Sequence, residues 1–234
     1  MTEKNLRNWP KKLSKKMSLH HENNIELQKR EAVGVIRASR FVRKYVHSHR
    51  PITIDTIGEL HKEIFRDAWP EVAGKYRMEN LEISDSKHLP PHFSLVPGLM
   101  KELDRELSDK LDKLPKIEGI MLDDGEDLEE IGKAIEQIVF LAAWLHHKIT
   151  FIHPFREGNG RTARLAGNLV LERFGLTGIS IKIEKENKTR YRKALAQIDQ
   201  EEDYEPLTEL INEGLTERYG GLAMKYYEIK RSKE

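Results

Sequence analysis

The chain has 234 residues, no cysteine, a formal net charge of +1, 38% hydrophobic and 34% charged residues. That length fits one domain, or one domain with a helical extension. The absence of cysteine excludes disulfides, thiolate metal sites and cysteine nucleophiles and agrees with a cytoplasmic chain; the balanced charge points to no polyanionic partner, and no run approaches the roughly 18 apolar residues of a membrane span.

Residues 1–16 form a basic arm containing Trp9 and Pro10, read as a solvated segment without the apolar core of a secretory signal. From Ser18 to about His49, Leu19, Ile25, Leu27, Val33, Ile36, Phe41, Val42 and Val46 predict one or two amphipathic helices, with Gly34 as a break. Pro51 ends the run, and Thr53 or Asp55 can cap a helix reaching about Ala68. Residues 69–92 change character. Gly74, the alternation at Leu81 and Ile83, a Ser-Asp-Ser turn and Pro90-Pro91 predict a loop and a short β-hairpin.

Residues 94–113 read as helix, closed by Pro115. The acids between 123 and 130 suit a helix N-terminus and lack the ligand spacing of a Ca²⁺ loop. A helix over 128–149 has apolar residues on more than one face and is predicted to be central. A second core helix runs through Leu165, Leu169, Val170 and Phe174 and stops at Gly175, and further helices fall near 187–201, 204–218 and 221–231. The sum is an all-α domain with one hairpin.

Between the two core helices lies HPFREGNGRTAR, residues 153–164. Gly158 and Gly160 let the backbone bend, and the helix they open offers unpaired N–H groups to an anion. Arg161 and Arg164, three apart, can grip neighbouring phosphates. Glu157 beside such phosphates implies an intervening cation, for which Mg²⁺ on one carboxylate plus phosphate oxygens is the usual arrangement. Asn159 can donate to a phosphoryl oxygen. His153 has the chemistry of a general base for a hydroxyl nucleophile. The spacing of His146, His147 and His153 matches no HExxH-type zinc site, so the first two are read as packing residues.

Residues 153–164 match every specified position of the Fic-domain signature, HPFx(D/E)GNGRxxR, and the chain resembles that family over roughly residues 50–215. LHHKITFI before the motif, GKYR at 74–77, HLPPH at 88–92 and YRKAL at 191–195 are also similar. The resemblance implies an α-helical Fic core with a β-hairpin flap, and a nucleotidyltransferase moving AMP from ATP to a Ser, Thr or Tyr hydroxyl of a target protein, or of itself. It assigns His153 as catalytic base and Glu157 as the Mg²⁺ carboxylate. Nucleotide binding falls to Glu157, Gly158, Asn159, Gly160, Arg161, Thr162, Ala163 and Arg164, with Tyr191 and the flap residues Leu81 and Ile83. The target would lie along the flap by strand addition. Doc-type members, which phosphorylate, typically carry Lys where Gly160 stands here. Arg192 and Asp199 depart from the family's usual aromatic and asparagine.

Ser18, Glu22 and Asn23 resemble the family's inhibitory motif, (S/T)xxxE(G/N). Ser18 and Glu22 are one helical turn apart, and Glu22 paired with Arg164 would deprive a γ-phosphate of its cation. The resulting division is an arm and inhibitory helix region over 1–49, a Fic core over 50–215 and a helical tail over 216–234. Two other readings stand beside it: a de-AMPylase in which Glu22 orients water, and a non-catalytic helical module using the basic arm on nucleic acid. The intact set of motif residues argues against the latter. Family members commonly dimerise, so a homodimer is compatible with the resemblance.

Overall fold

The computed structural model describes residues 25–83, 86, 88–114, 128–181 and 186–231. Its helices are α1 (Ile25–His47), α2 (Ile54–Phe65), α3 (Val96–Lys113), α4 (Leu128–Ile152), α5 (Asn159–Arg173), α6 (Glu186–Glu201) and α7 (Glu205–Arg231), with a 3₁₀ turn at Phe93–Leu95. Ser18, Glu22 and Asn23 lie outside the described residues.

Helix α4 is the centre, as its apolar pattern predicts. Ile138, Val139, Ala142, Leu145 and Ile149 are buried, and so are Leu141, Ala143 and Trp144 on other faces. Helix α5 packs along it through Ala163, Ala166, Leu169 and Val170. Helices α1 and α2 pair with each other and cover α5, while α3, α6 and α7 close against α4.

Local chemistry sets the helix ends. Thr53 caps α2, its side chain accepting from Thr56 N while Thr53 N donates to Thr56 Oγ1. Helix α5 ends in a Schellman arrangement: Gly175 at φ 83° donates to Glu172 O, and Leu176 N donates to Leu171 O. Helix α1 runs through Gly34 without the expected break. This glycine instead permits a close crossing, because a Cβ there would lie 1.9 Å from Ile64 O. The two helices expected near 204–218 and 221–231 are one, α7.

The hairpin expectation needs correction. Among the described residues the 77–92 segment forms no strand ladder, and the β pairing present is one antiparallel bridge between Tyr76 and Phe155. Pro90 and Pro91 remove two donors from the return limb, and two strands alone are marginal. The alternation survives in burial, with Leu81 and Ile83 half-buried around an exposed Glu82. The segment is closed at its base by side chains. Arg77 donates to the carbonyls of Glu79 and Pro91, and Phe93 N donates to Asn80 Oδ1 at 3.0 Å.

Gly34→Ala is expected to force α1 and α2 apart and to lower stability by about 1–3 kcal/mol. Thermal unfolding followed by circular dichroism checks this, and an unchanged midpoint contradicts the close crossing.

Candidate nucleotide-phosphate site

Helix α4 stops because His153 turns left-handed, at φ 52°, with its N–H on Ile149 O at 3.0 Å. For a residue with a Cβ this conformation costs about 1–2 kcal/mol and persists only where neighbours hold it. Arg77, only 4% exposed, is the main holder. Its Nε donates to His153 O at 2.8 Å, a second guanidinium nitrogen reaches Ile152 O, and its backbone N donates to Pro154 O at 2.8 Å. One buried cation therefore ties the base of the flap to the turn that carries His153.

The loop then dives inward. Phe155 is fully buried and stacks on His61 of α2 with ring centroids 3.9 Å apart. The His61 tautomer follows from its partners. Nδ1 accepts from Gly74 N at 2.8 Å, so Nε2 carries the hydrogen and donates to Glu157 O at 3.0 Å. Burial pushes the His61 imidazole down to about 4, which keeps it neutral. Asn159 clamps the loop from the other side, accepting from Phe155 N at 2.8 Å and donating to Phe155 O at 2.7 Å.

Gly158 is left-handed at φ 76°, and a Cβ there would meet the Phe65 ring at 2.3 Å. It opens α5 without a side-chain cap. The first amides of a helix lack intrahelical acceptors, so this end presents donors and the positive end of the dipole. Glu157, about half exposed, accepts from Gly158 N at 3.2 Å and lies 3.5 Å from Arg161 Nη2.

The two motif arginines are held by different elements. Arg161 Nη1 donates to the buried Glu31 of α1 at 2.6 Å, and its Cζ sits 4.8 Å from the Phe65 centroid. Arg164 is hydrogen-bonded to Tyr191 of α6, whose hydroxyl is 2.7 Å from His146 Nε2. Burial lowers the Arg164 pKa and pushes Tyr191 up to about 12 and His146 down to about 3. Gly160 lies beside this arginine, and a Cβ there would make ordinary contact with Arg164 Nη1 at 3.5 Å.

His153 Nδ1 faces Thr150 O at 3.2 Å, so Nδ1 is the donor and Nε2 is left as an acceptor. Burial, opposed by that hydrogen bond and reinforced by Arg77 and His88, brings its pKa down to about 4.

The structure thus brings together His153, Glu157, Gly158, Gly160, Arg161 and Arg164, with Tyr191 behind Arg164. The Asn159 amide differs from its expected use. It is 2% exposed and spent on the Phe155 backbone. Thr162 and Ala163 are fully buried, Thr162 donating to Gly158 O, so both support the turn from within. Leu81 and Ile83 sit on the flap segment. Asp199 accepts from His147 Nε2 at 2.8 Å, and its other oxygen lies 3.8 Å from His88 Nδ1. Sequence reasoning gave no role to His61, Glu31 or Arg77. Each has a partner in or beside the motif that lies 75 or more residues away along the chain, and only the quoted GKYR segment pointed toward Arg77.

The chain is thus a helical domain in which a half-buried imidazole shares a turn with a helix N-terminus flanked by two arginines. Residues 51–171 match the Fic/DOC family, and the chain belongs to that family. It is 33% identical over 159 residues to a protein named protein adenylyltransferase Fic from Nematostella vectensis, covering 68% of this chain and 32% of that protein. It is 30% identical over 156 residues to protein adenylyltransferase fic-1 of Caenorhabditis elegans, covering 66% and 26%. The chain therefore spans about a third or less of the length of the curated relatives it matches. Among solved structures, Fic-1 from C. elegans superposes with a TM-score of 0.64 at 25% identity, over 88% of this chain and 54% of that one. BepC from Bartonella tribocorum, with bound AMPPNP, has a TM-score of 0.57 at 18% identity, over 81% and 86%, and shares the fold.

Three histidines, His61, His146 and His153, stay neutral in the folded chain until about pH 4 or below. Unfolded histidines take up protons near pH 6.5, so below that pH the unfolded state binds more protons. Stability is expected to fall as pH drops from about 6.5 toward 4, by about 1.4 kcal/mol per pH unit for each proton, with no contribution from these groups above about 7. The thermal midpoint measured across this range checks the expectation. His61→Gln should reduce the slope by about one proton, and an unaltered slope contradicts its buried neutral state.

Proposed function

We propose that this chain is a protein adenylyltransferase that transfers AMP from ATP to a Ser, Thr or Tyr hydroxyl of a target protein, or of itself. The observation that carries the reading is the placement of a neutral, proton-accepting His153 in the same turn as the uncapped N-terminus of α5. The relatives named as adenylyltransferases and the neighbour with bound AMPPNP support the same chemistry.

In this reading the amides that open α5, with Arg161 and Arg164, hold the phosphates of ATP. His153 Nε2 takes the proton of the target hydroxyl as its oxygen attacks the α-phosphorus. The new P–O bond forms while the bond to the departing pyrophosphate breaks. The charge that develops on the phosphoryl oxygens meets donors already in place, which is the largest contribution expected from such a site. Tyr191 keeps Arg164 oriented, and Arg77 keeps His153 in its strained conformation.

A Mg²⁺ ion fits the residues present. Glu157 offers a half-exposed carboxylate at the mouth of the anion turn. Among the described residues no group of three or more His, Cys, Asp or Glu side chains could hold a metal alone, so phosphate oxygens and water would complete the coordination. Such an ion, when bound, neutralises charge on the phosphates.

Gly160 favours nucleotidyl over phosphoryl transfer, since Doc-type members, which phosphorylate, typically carry Lys at this position. The target peptide would lie along the flap, whose base Arg77 anchors beside His153. We place the Fic core within residues 50–215, flanked by an arm and inhibitory region over 1–49 and a tail over 216–234. Glu22 would restrain the reaction by pairing with Arg164. Helix α1 begins three residues after it and packs on α5, which supports a reach of that kind. No helix among the described residues is long and apolar enough to cross a membrane.

Transfer of label from [α-³²P]ATP to protein tests the reading. His153→Ala is expected to abolish labelling, by about 10²-fold or more, while ATP binding stays within about threefold of the original chain. Retained labelling contradicts the base assignment. Glu22→Gly should raise labelling by about tenfold or more, and equal activity removes the inhibitory role. Because the folded His153 pKa lies near 4, its base form persists as pH falls from about 8 to 6, and the rate should show no histidine limb there.

A further inference from the structure

Glu31 lies on α1, outside the motif, and the reaction described above gives it no task. Its side chain is 8% exposed, yet it pairs across 130 residues of sequence with Arg161, at 2.6 Å. A carboxylate withdrawn from water to that extent is costly unless a cation meets it, and removing either partner strands the other.

The position of Glu31 is set by backbone packing. One turn further along α1, Gly34 crosses α2 so closely that a Cβ would lie 1.9 Å from Ile64 O. The next residue of α2, Phe65, fills the space over Gly158 and lies under the Arg161 guanidinium. Arg161 is therefore fixed on three sides. Nη1 is on Glu31, one face is on Phe65, and Nη2 is 3.5 Å from Glu157. Two of those three constraints come from α1 and α2 rather than from the anion turn.

We propose that Glu31 is a positioning residue for Arg161: it holds the guanidinium by Nη1 so that Nη2 is presented to Glu157 and to the phosphates of ATP. This rests on the reading that the start of α5 receives ATP. A rival account makes Glu31 a neutralising charge that weakens the positive potential of the site. Two substitutions separate the accounts. Glu31→Gln keeps the length and the acceptor oxygen but removes the charge. Glu31→Asp keeps the charge but shortens the reach by one methylene.

The test is titration calorimetry of ATP with Mn²⁺ on the full chain and both variants, alongside thermal midpoints. Positioning predicts that Glu31→Asp weakens binding by about tenfold and that Glu31→Gln restores most of that loss, because a charge-assisted hydrogen bond of this type is worth about that factor. The proposal is overturned if Glu31→Asp binds as well as the original chain, or if Glu31→Gln is as weak as Glu31→Asp or tighter than the original chain. Should Glu31→Asp fail to fold, Glu31→Gln alone decides, and a tenfold loss there overturns the proposal. The Arg161 side-chain N–H signals in nucleotide-free ¹⁵N NMR give a readout that needs no ligand. They should exchange slowly in the original chain and in Glu31→Gln. If the original chain binds no ATP, the nucleotide reading fails, while these signals still show whether Glu31 anchors the guanidinium.

Discussion

Two left-handed residues five positions apart, His153 and Gly158, reverse the chain between the two most intimately packed helices, α4 and α5. The reversal is held by the double hydrogen bond between Asn159 and the Phe155 backbone and by Phe155 itself, buried against His61. Everything proposed for the site depends on this turn. It places His153 at the end of one helix and the uncapped amides proposed to hold phosphate at the start of the next. Without the clamp, His153 would relax toward an ordinary helix end and α5 would lose its fixed starting point.

The electrostatics follow from burial around that turn. His61 and His153 are kept neutral because burial disfavours a charged imidazole, so His153 keeps a free acceptor nitrogen well below neutral pH. The guanidinium groups are steered by partners on other elements: Arg77 by backbone carbonyls, Arg161 by Glu31, Arg164 by Tyr191. Each guanidinium therefore has its orientation set before any ligand arrives. This is what preorganisation requires, since donors that need not reorganise are the ones that stabilise developing charge effectively.

Much of this was legible in the sequence, for identifiable reasons. The twelve-residue motif is contiguous, so its place between two helices could be read directly, and the periodicity of Ile138, Val139, Ala142 and Leu145 was strong enough to mark α4 as central. What escaped were side chains whose meaning is tertiary. Gly34 looks like a break in a local window, but its role is to admit the Ile64 carbonyl. His61 and Glu31 carry no periodic or motif signal, because their partners in the motif, Glu157 and Arg161, lie 96 and 130 residues away. The alternation of the flap predicts a hairpin, yet among its described residues there is no ladder and Arg77 ties its two ends together. Asn159 was read as a ligand for phosphate because an exposed amide is the simplest use of that residue type; burial gives it a structural use instead.

The most direct test is a crystal structure of the chain, with Glu22 replaced by Gly, bound to Mg²⁺ and a non-hydrolysable ATP analogue. The account predicts phosphate oxygens on the amides that open α5, a cation on Glu157, and His153 Nε2 facing the α-phosphorus with room for a hydroxyl about 3–3.5 Å from it. A nucleotide bound elsewhere, or phosphates that leave the start of α5 untouched, would contradict it.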